Sequence, residues 1–231
     1  MPLIYACIAP HAGDLIPETI KDKNIVALTR KSMYAMGSKL EALQPEVIVI
    51  INPHGFRVST AMNIAITEKA TADWAPNVKL DFDVDQELAN SIANHAEAMS
   101  VPVVRYIYGA SGGEACYVPL DWGAVVPLYF MGHRFTPKPK IVHLSPMRSL
   151  PFTMHYEFGR AIGRVIKASD KKIAFIASAD QGHTHDPNGP YGYDPAAAEY
   201  DAWMQSVIRN GNLDELLSAD PQMVEDRKSV V

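Results

Sequence analysis

Continuous apolar runs with abrupt polar ends recur along the chain. Leu3 to Ala9, Val47 to Ile51 and Ile173 to Ala177 carry no polar break, the pattern of strands buried on both faces. The first ends in Pro10-His11-Ala12-Gly13-Asp14, the second in Asn52-Pro53-His54-Gly55 and the third in Ser178-Ala179-Asp180-Gln181-Gly182-His183. Between the first two, Asn24 to Leu43 sets Ile25, Leu28, Met33, Met36, Leu40 and Leu43 at helical spacing and stops before Pro45, which predicts an amphipathic helix. A strand–helix–strand unit of this kind makes its strands parallel and brings their carboxyl ends together. His11 and His54 are thereby expected at one sheet edge, with His183 joining them after the third strand. In open α/β sheets that edge is where ligands bind.

The same reading predicts strands over Met62 to Glu68, Pro102 to Tyr108, Ala124 to Met131 and Ile141 to Leu144, and helices over Val84 to Met99 and Phe152 to Ala168. From Asp186 to Asp194 two prolines, two glycines and two tyrosines mark a pinned loop. A helix follows with Asp194 as its N-cap and Pro195 in first position. On it Tyr200, Trp203, Met204 and Val207 form an apolar stripe, with Glu199 at its edge and Asp201 turned about 200° from Glu199. Asn212 to Leu217 reads as a short helix and the tail from Ser218 as loose. The expected fold class is α/β, a single domain over 1–231 with a central, largely parallel or mixed sheet flanked by helices.

Composition narrows the partners. Twenty-six acids against 21 bases, with no Lys/Arg block, argue against nucleic acid or an anionic membrane and leave small molecules. Cys7 and Cys116 are too few for a disulfide framework or a thiolate metal site, so a cytoplasmic, reducing setting is expected. The N-terminus lacks a basic leader, and the longest apolar run falls far short of the roughly 20 residues that span a bilayer. The expectation is a soluble, unprocessed chain.

Several residues have bland readings. Glu199 near a helix start is favoured by the macrodipole alone, and His143 and His155 inside elements read as structural, as does His95. Gly109 to Glu114 is glycine-rich but fits neither a phosphate loop nor a dinucleotide fingerprint. The trio His11, His54 and Glu199 offers two imidazoles and a carboxylate, a set that suits non-haem Fe(II) with open positions and that also holds zinc. His183 has the pKa range of an acid/base group. A compact His-Glu-x-x-His run is absent, which removes the usual metalloprotease reading.

The ordered set Pro10-His11-Ala12-Gly13, Asn52-Pro53-His54-Gly55, Asp121-Trp122-Gly123 with Val126-Pro127-Leu128, Ser178 to His183 and Glu199-Tyr200-Asp201 resembles the catalytic subunits of class III extradiol ring-cleaving dioxygenases. It is similar also to plant-type DOPA dioxygenases and Memo-like proteins. The resemblance spans nearly the whole chain. It implies His11, His54 and Glu199 as Fe(II) ligands, with zinc or manganese as alternatives, and His183 as the acid/base residue. It implies a catechol-type or aminophenol substrate with dioxygen, a homo-oligomer and, as in some relatives, a small helical partner subunit. Trp122, His185 and Tyr191 are expected to contact substrate.

Two departures accompany the resemblance. Trp122 stands where many members have histidine, so His185 is a candidate to supply the missing group, and the chain stops about thirty residues after Glu199, earlier than comparable members. The competing expectations are a Memo-like binding protein without turnover and, more remotely, a zinc hydrolase.

Overall fold

The computed structural model describes residues 1–20, 22, 24 and 26–227; Ile25, part of the predicted first helix, lies outside them. In chain order the elements are β1 (Leu3–Ala9), α1 (Ala27–Leu43), β2 (Val47–Ile51), β3 (Met62–Ala65), β4 (Lys69–Ala75), β5 (Val78–Asp83), α2 (Gln86–Ala98), β6 (Val103–Tyr106), β7 (Tyr117–Pro119), α3 (Trp122–Phe130), β8 (Lys140–Ser145), α4 (Phe152–Ala168), β9 (Ile173–Ser178), α5 (Ala196–Asn210) and α6 (Pro221–Asp226). They fall into two compact units, 1–179 and 180–231.

The first unit is built on a six-stranded mixed sheet in the order β1-β9-β2-β8-β3-β6. The α/β expectation holds. β1, β9, β2 and β8 run parallel, and β3 lies antiparallel to β8. β9 sits between β1 and β2, pairing Ala9 with Ser178 and Ile51 with Ala177, so three strand ends are level at one edge. β2 is buried on both faces, as its uninterrupted apolar run predicts: Ile48 and Ile50 join a core with α1, α3 and the small sheet, while Val47 and Val49 join one with α2 and α4. β1 does not follow the expectation of a buried strand: it ends the sheet, with Leu3 and Ile8 exposed and only Ala9 fully buried. Met33 and Leu40 of α1 are buried as expected, whereas Leu28 is 79% exposed.

Two differences from the sequence reading are informative. The run Ala124 to Met131 is not a strand: Trp122–Phe130 is a helix whose residues from Gly123 onward are all buried. An apolar run without periodicity fits a buried helix as well as a buried strand, and Asp121 starts the helix by accepting the Gly123 N–H at 2.7 Å. The chain also forms a second, three-stranded sheet, β5-β4-β7. In β5 the pattern Val-Lys-Leu-Asp-Phe-Asp alternates strictly between buried and exposed, as expected of a strand with one solvated face.

In the second unit α5 begins at Ala196, one residue later than predicted, so Pro195 takes the N-cap position expected for Asp194, whose Oδ1 still accepts the Ala196 N–H at 2.9 Å. The tail is not loose throughout: Asp220 accepts the Gln222 N–H and Pro221 opens α6. No helix among the described residues is long and apolar enough to cross a membrane.

Candidate functional site

The level strand ends of β1, β9 and β2 place a buried histidine, a serine and a polar turn together. His11 follows β1 and is fully buried, its Nδ1 2.9 Å from Ser178 Oγ at the end of β9. The serine hydroxyl donates to the Gly123 carbonyl in α3. The reason is covalent: residue 127, which would close the helical turn onto that carbonyl, is proline and has no N–H. A hydroxyl has one proton to give, so Ser178 Oγ accepts from His11 Nδ1–H. The His11 lone pair is therefore on Nε2.

His54 follows β2 in a turn held by Asn52. The Asn52 side-chain oxygen accepts the backbone N–H groups of His54 at 2.8 Å and Gly55 at 3.1 Å, the local hydrogen bonding that suits asparagine to turns. Its amide nitrogen lies 2.6 Å from Nε2 of His143, a fully buried histidine within β8, and His143 Nδ1 lies 3.2 Å from the Tyr106 hydroxyl. Burial pushes the Tyr106 hydroxyl pKa up, reinforced by Asp121, and burial holds that of His143 down, opposed by Asp121. Two polar atoms beside this network, Asp121 Oδ2 and Ser145 Oγ, are buried without a hydrogen-bond partner among the described residues.

These constraints bring the two imidazoles together at right angles, 87° between planes, with Nε2 facing Nε2 at 3.1 Å. Metal–imidazole bonds of about 2.1 Å put neighbouring ligand nitrogens about 3.0 Å apart at a right-angled pair. The separation therefore fits two ligands of one cation, and the Ser178 bond fixes the tautomer that presents Nε2, as histidine ligands require. Trp122, 42% exposed, lays its ring 4.1 Å from that of His54. Gly123 leaves the room this takes, since a Cβ there would stand 2.8 Å from Asn52 Oδ1 and 3.1 Å from His54 Cδ2.

The remaining candidates lie in the second unit. His183 is anchored through its backbone N–H to the Arg227 carbonyl at 2.9 Å; its Nε2 is 3.5 Å from Asp180 Oδ2 and its ring stacks on Tyr191 at 5.3 Å. Arg227 bonds the Gln181 carbonyl and stacks its guanidinium over Tyr200 at 4.1 Å. His185 is held by Asp201, 3.0 Å from Nε2 to Oδ2, and the other Asp201 oxygen accepts the Gly182 N–H. Glu199 lies in the first turn of α5. Among the described residues no group of three or more His, Cys, Asp or Glu side chains is gathered as a metal cluster, so the observed geometry is that of the His11–His54 pair. His95 and His155 each turn a ring nitrogen to the carbonyl four residues earlier in their helices.

Sequence reasoning missed Asn52, Ser178 and Pro127 as working parts. The signals were present: asparagine opening a Pro-His-Gly turn, serine ending an apolar strand, and proline in an apolar octet.

The fold and site define an α/β protein with a pair of histidines at the level strand ends of β1 and β2, on either side of β9. Residues 5–230 match the family model "Catalytic LigB subunit of aromatic ring-opening dioxygenase", and the chain belongs to this family of extradiol dioxygenases. It is 28% identical over 222 residues to Protein CA_C1420 of Clostridium acetobutylicum, covering 94% of this chain and 47% of that protein; the chain thus spans about half the length of that relative. It is 23% identical over 198 residues to the 4,5-DOPA dioxygenase extradiol of Beta vulgaris, covering 81% of this chain and 68% of that one. The crystal structure of uncharacterized protein JW3007 from Escherichia coli K12 superposes at a TM-score of 0.49 with 19% identity, over 76% of this chain and 64% of that one.

Proposed function

We propose that this chain is a non-haem Fe(II)-dependent extradiol dioxygenase that opens a catechol-type or aminophenol ring with dioxygen. The observation that carries the reading is the His11–His54 pair, Nε2 to Nε2 at 3.1 Å, with the His11 tautomer set by Ser178. Family membership and the 4,5-DOPA dioxygenase relative supply the chemistry.

His11, His54 and Glu199 are the proposed ligands, two imidazoles and a carboxylate that leave positions open. Bound iron would supply the template that brings the diol and dioxygen together and a conduit for the electrons that pass from the diol to dioxygen. His183 is the acid/base residue, taking a substrate hydroxyl proton and later returning one. Its stacking on Tyr191 and its backbone tie to Arg227 orient the ring. Trp122 and Tyr191 offer flat apolar faces to an aromatic ring. With Asp201 on its Nε2, His185 is read as a partner that shapes the loop.

Anaerobic loading with Fe(II), then a panel of catechols and aminophenols in air, tests this. Oxygen uptake with a coloured ring-opened product is expected; neither appearing with any diol refutes it. His54→Ala is expected to lose metal, and His183→Ala to keep metal and lose most turnover. Trp122 favours a second reading, a Memo-like protein that binds metal or ligand without turnover, because indole cannot exchange protons as imidazole does. Metal retention without oxygen uptake across the panel supports that second reading.

A further inference from the structure

A histidine in the middle of a buried strand needs a reason. His143 lies in β8 between Val142 and Leu144, all three fully buried. A leucine would serve the core at lower cost, because a buried polar group must find partners.

The partners of His143 converge on one turn. Asn52 Oδ1 already accepts two backbone N–H groups, from His54 and Gly55, which fixes the orientation of its carboxamide. Asn52 Nδ2 must then donate to His143 Nε2 at 2.6 Å, leaving the proton of a neutral His143 on Nδ1. That Nδ1–H points to the Tyr106 hydroxyl at 3.2 Å. Tyr106 stacks on Phe56 with ring centres 4.5 Å apart. The His143 ring also forms the floor beneath Gly55, where an added Cβ would lie 2.9 Å from Cε1. The residues on both sides of His54 are thus tied to His143: Asn52 by a hydrogen bond and Phe56 through Tyr106, while at residue 55 the ring leaves no space for a side chain. Burial, which holds the imidazole neutral, keeps Nε2 an acceptor.

We propose that His143 is a positioning residue for the metal pair: in its Nδ1–H tautomer it clamps Asn52 and Tyr106, and through them it sets the turn that aims His54 Nε2 at His11 Nε2. The role deepens the metal-binding reading of the same site and rests on it. It differs from an ordinary structural histidine in requiring an acceptor at one point, not merely a filled volume.

The test uses the metal-free chain, titrated with Co(II) and followed by its ligand-field absorption. Two variants separate acceptor from volume. In His143→Gln a side-chain oxygen can still accept from Asn52 Nδ2, whereas His143→Leu fills the space without an acceptor. Residues that orient a histidine ligand typically carry about ten- to hundredfold in metal affinity. His143→Leu is expected to weaken Co(II) binding by that factor and alter the absorption, while His143→Gln stays near wild type.

Equal affinity and spectrum in wild type and His143→Leu overturn the role. So does a Gln variant as weak as Leu. Because His143→Leu can fail to fold, the tautomer is measured separately in 15N-labelled wild type: a proton on His143 Nδ1 is expected, and one on Nε2 overturns the clamp whatever the variants do. If wild type takes up no divalent cation, the metal reading itself falls and this role with it; binding by wild type without loss in the Leu variant refutes this role alone.

Discussion

Gly55→Ala probes how tightly the His54 turn is seated on β8. A Cβ at residue 55 would stand 2.0 Å from Ser145 Oγ, 3.2 Å from Ser145 Cβ and 2.9 Å from His143 Cε1. The first is 1.4 Å (3.4 − 2.0) inside the 3.4 Å at which ordinary contact begins. Ser145 is fully buried, so its side chain has little space to retreat into. Overpacking of this kind costs about 1–3 kcal/mol, and so deep a clash belongs at the upper end. For a chain of this length the loss lowers Tm by about 4–12 °C. Ser145 Oγ has no hydrogen-bond partner among the described residues. Ser145→Ala therefore removes a buried unsatisfied hydroxyl, whose desolvation costs about 1–3 kcal/mol, and is expected to be neutral or stabilising. Combined, the two substitutions remove the worst contact and keep the one with His143. The double variant should recover about 1–2 kcal/mol beyond additivity, the size typical of residues in direct contact. Urea unfolding of wild type, both single variants and the double variant closes the cycle, with m expected to stay constant. Additivity to within about 0.3 kcal/mol would show that the turn does not rest on Ser145.

Ser178→Ala leaves both the Gly123 carbonyl and His11 Nδ1–H without the serine; it should cost about 2–4 kcal/mol and weaken Co(II) binding at least about tenfold, read by urea unfolding and metal titration. Burial pushes the Cys7 thiol from 9.0 up to about 12, so above pH 9.0 the unfolded chain releases this proton while the folded chain keeps it. Stability falls as pH rises through that window, by about 1.4 kcal/mol at pH 10, and comparing wild type with Cys7→Ala at pH 8 and pH 10 should isolate the loss. Asp85 caps α2 by accepting the Leu88 N–H at 3.0 Å and pairs with Lys171 at 2.7 Å. Asp85→Ala should cost about 1–2 kcal/mol from the cap alone, with Asp85→Asn costing clearly less in the same unfolding assay.

The strand end carrying His54 was legible because a strand buried on both faces must be apolar throughout, and its polar break then marks the sheet edge; β1 carries an equally apolar run although it is half-exposed at the end of the sheet, and its polar break falls level with the others. The same logic misassigned Ala124 to Met131, where eight consecutive apolar residues erase the periodicity that separates helix from strand. The small sheet escaped although Val78 to Asp83 alternates cleanly, because a strand on one-sided burial lacks the long apolar run that drew attention elsewhere. α6 escaped because its six residues, opened by Asp220 and Pro221, carry too little apolar pattern to stand out from a polar tail. The geometry of the histidine pair was not legible at all. His54 is oriented by Asn52, Asn52 by His143, 91 positions away, and His143 in turn touches Tyr106; no local pattern encodes such a chain.

Two residues break the local rules of their elements, and both breaks lead to the same place. Proline inside a helix is unfavourable by about 3 kcal/mol relative to alanine, yet Pro127 sits within α3. It leaves the Gly123 carbonyl for Ser178, which offsets part of the cost and turns the serine oxygen toward His11. Histidine in a fully buried strand is costly unless satisfied, yet His143 sits within β8, where Asn52 and Tyr106 satisfy it and the His54 turn is held in return. One violation governs the tautomer of the first imidazole and the other the aim of the second. Folds tend to breach local propensity where function demands it, so a proline in α3 and a histidine in β8 both direct attention to the His11–His54 pair, independently of any family resemblance.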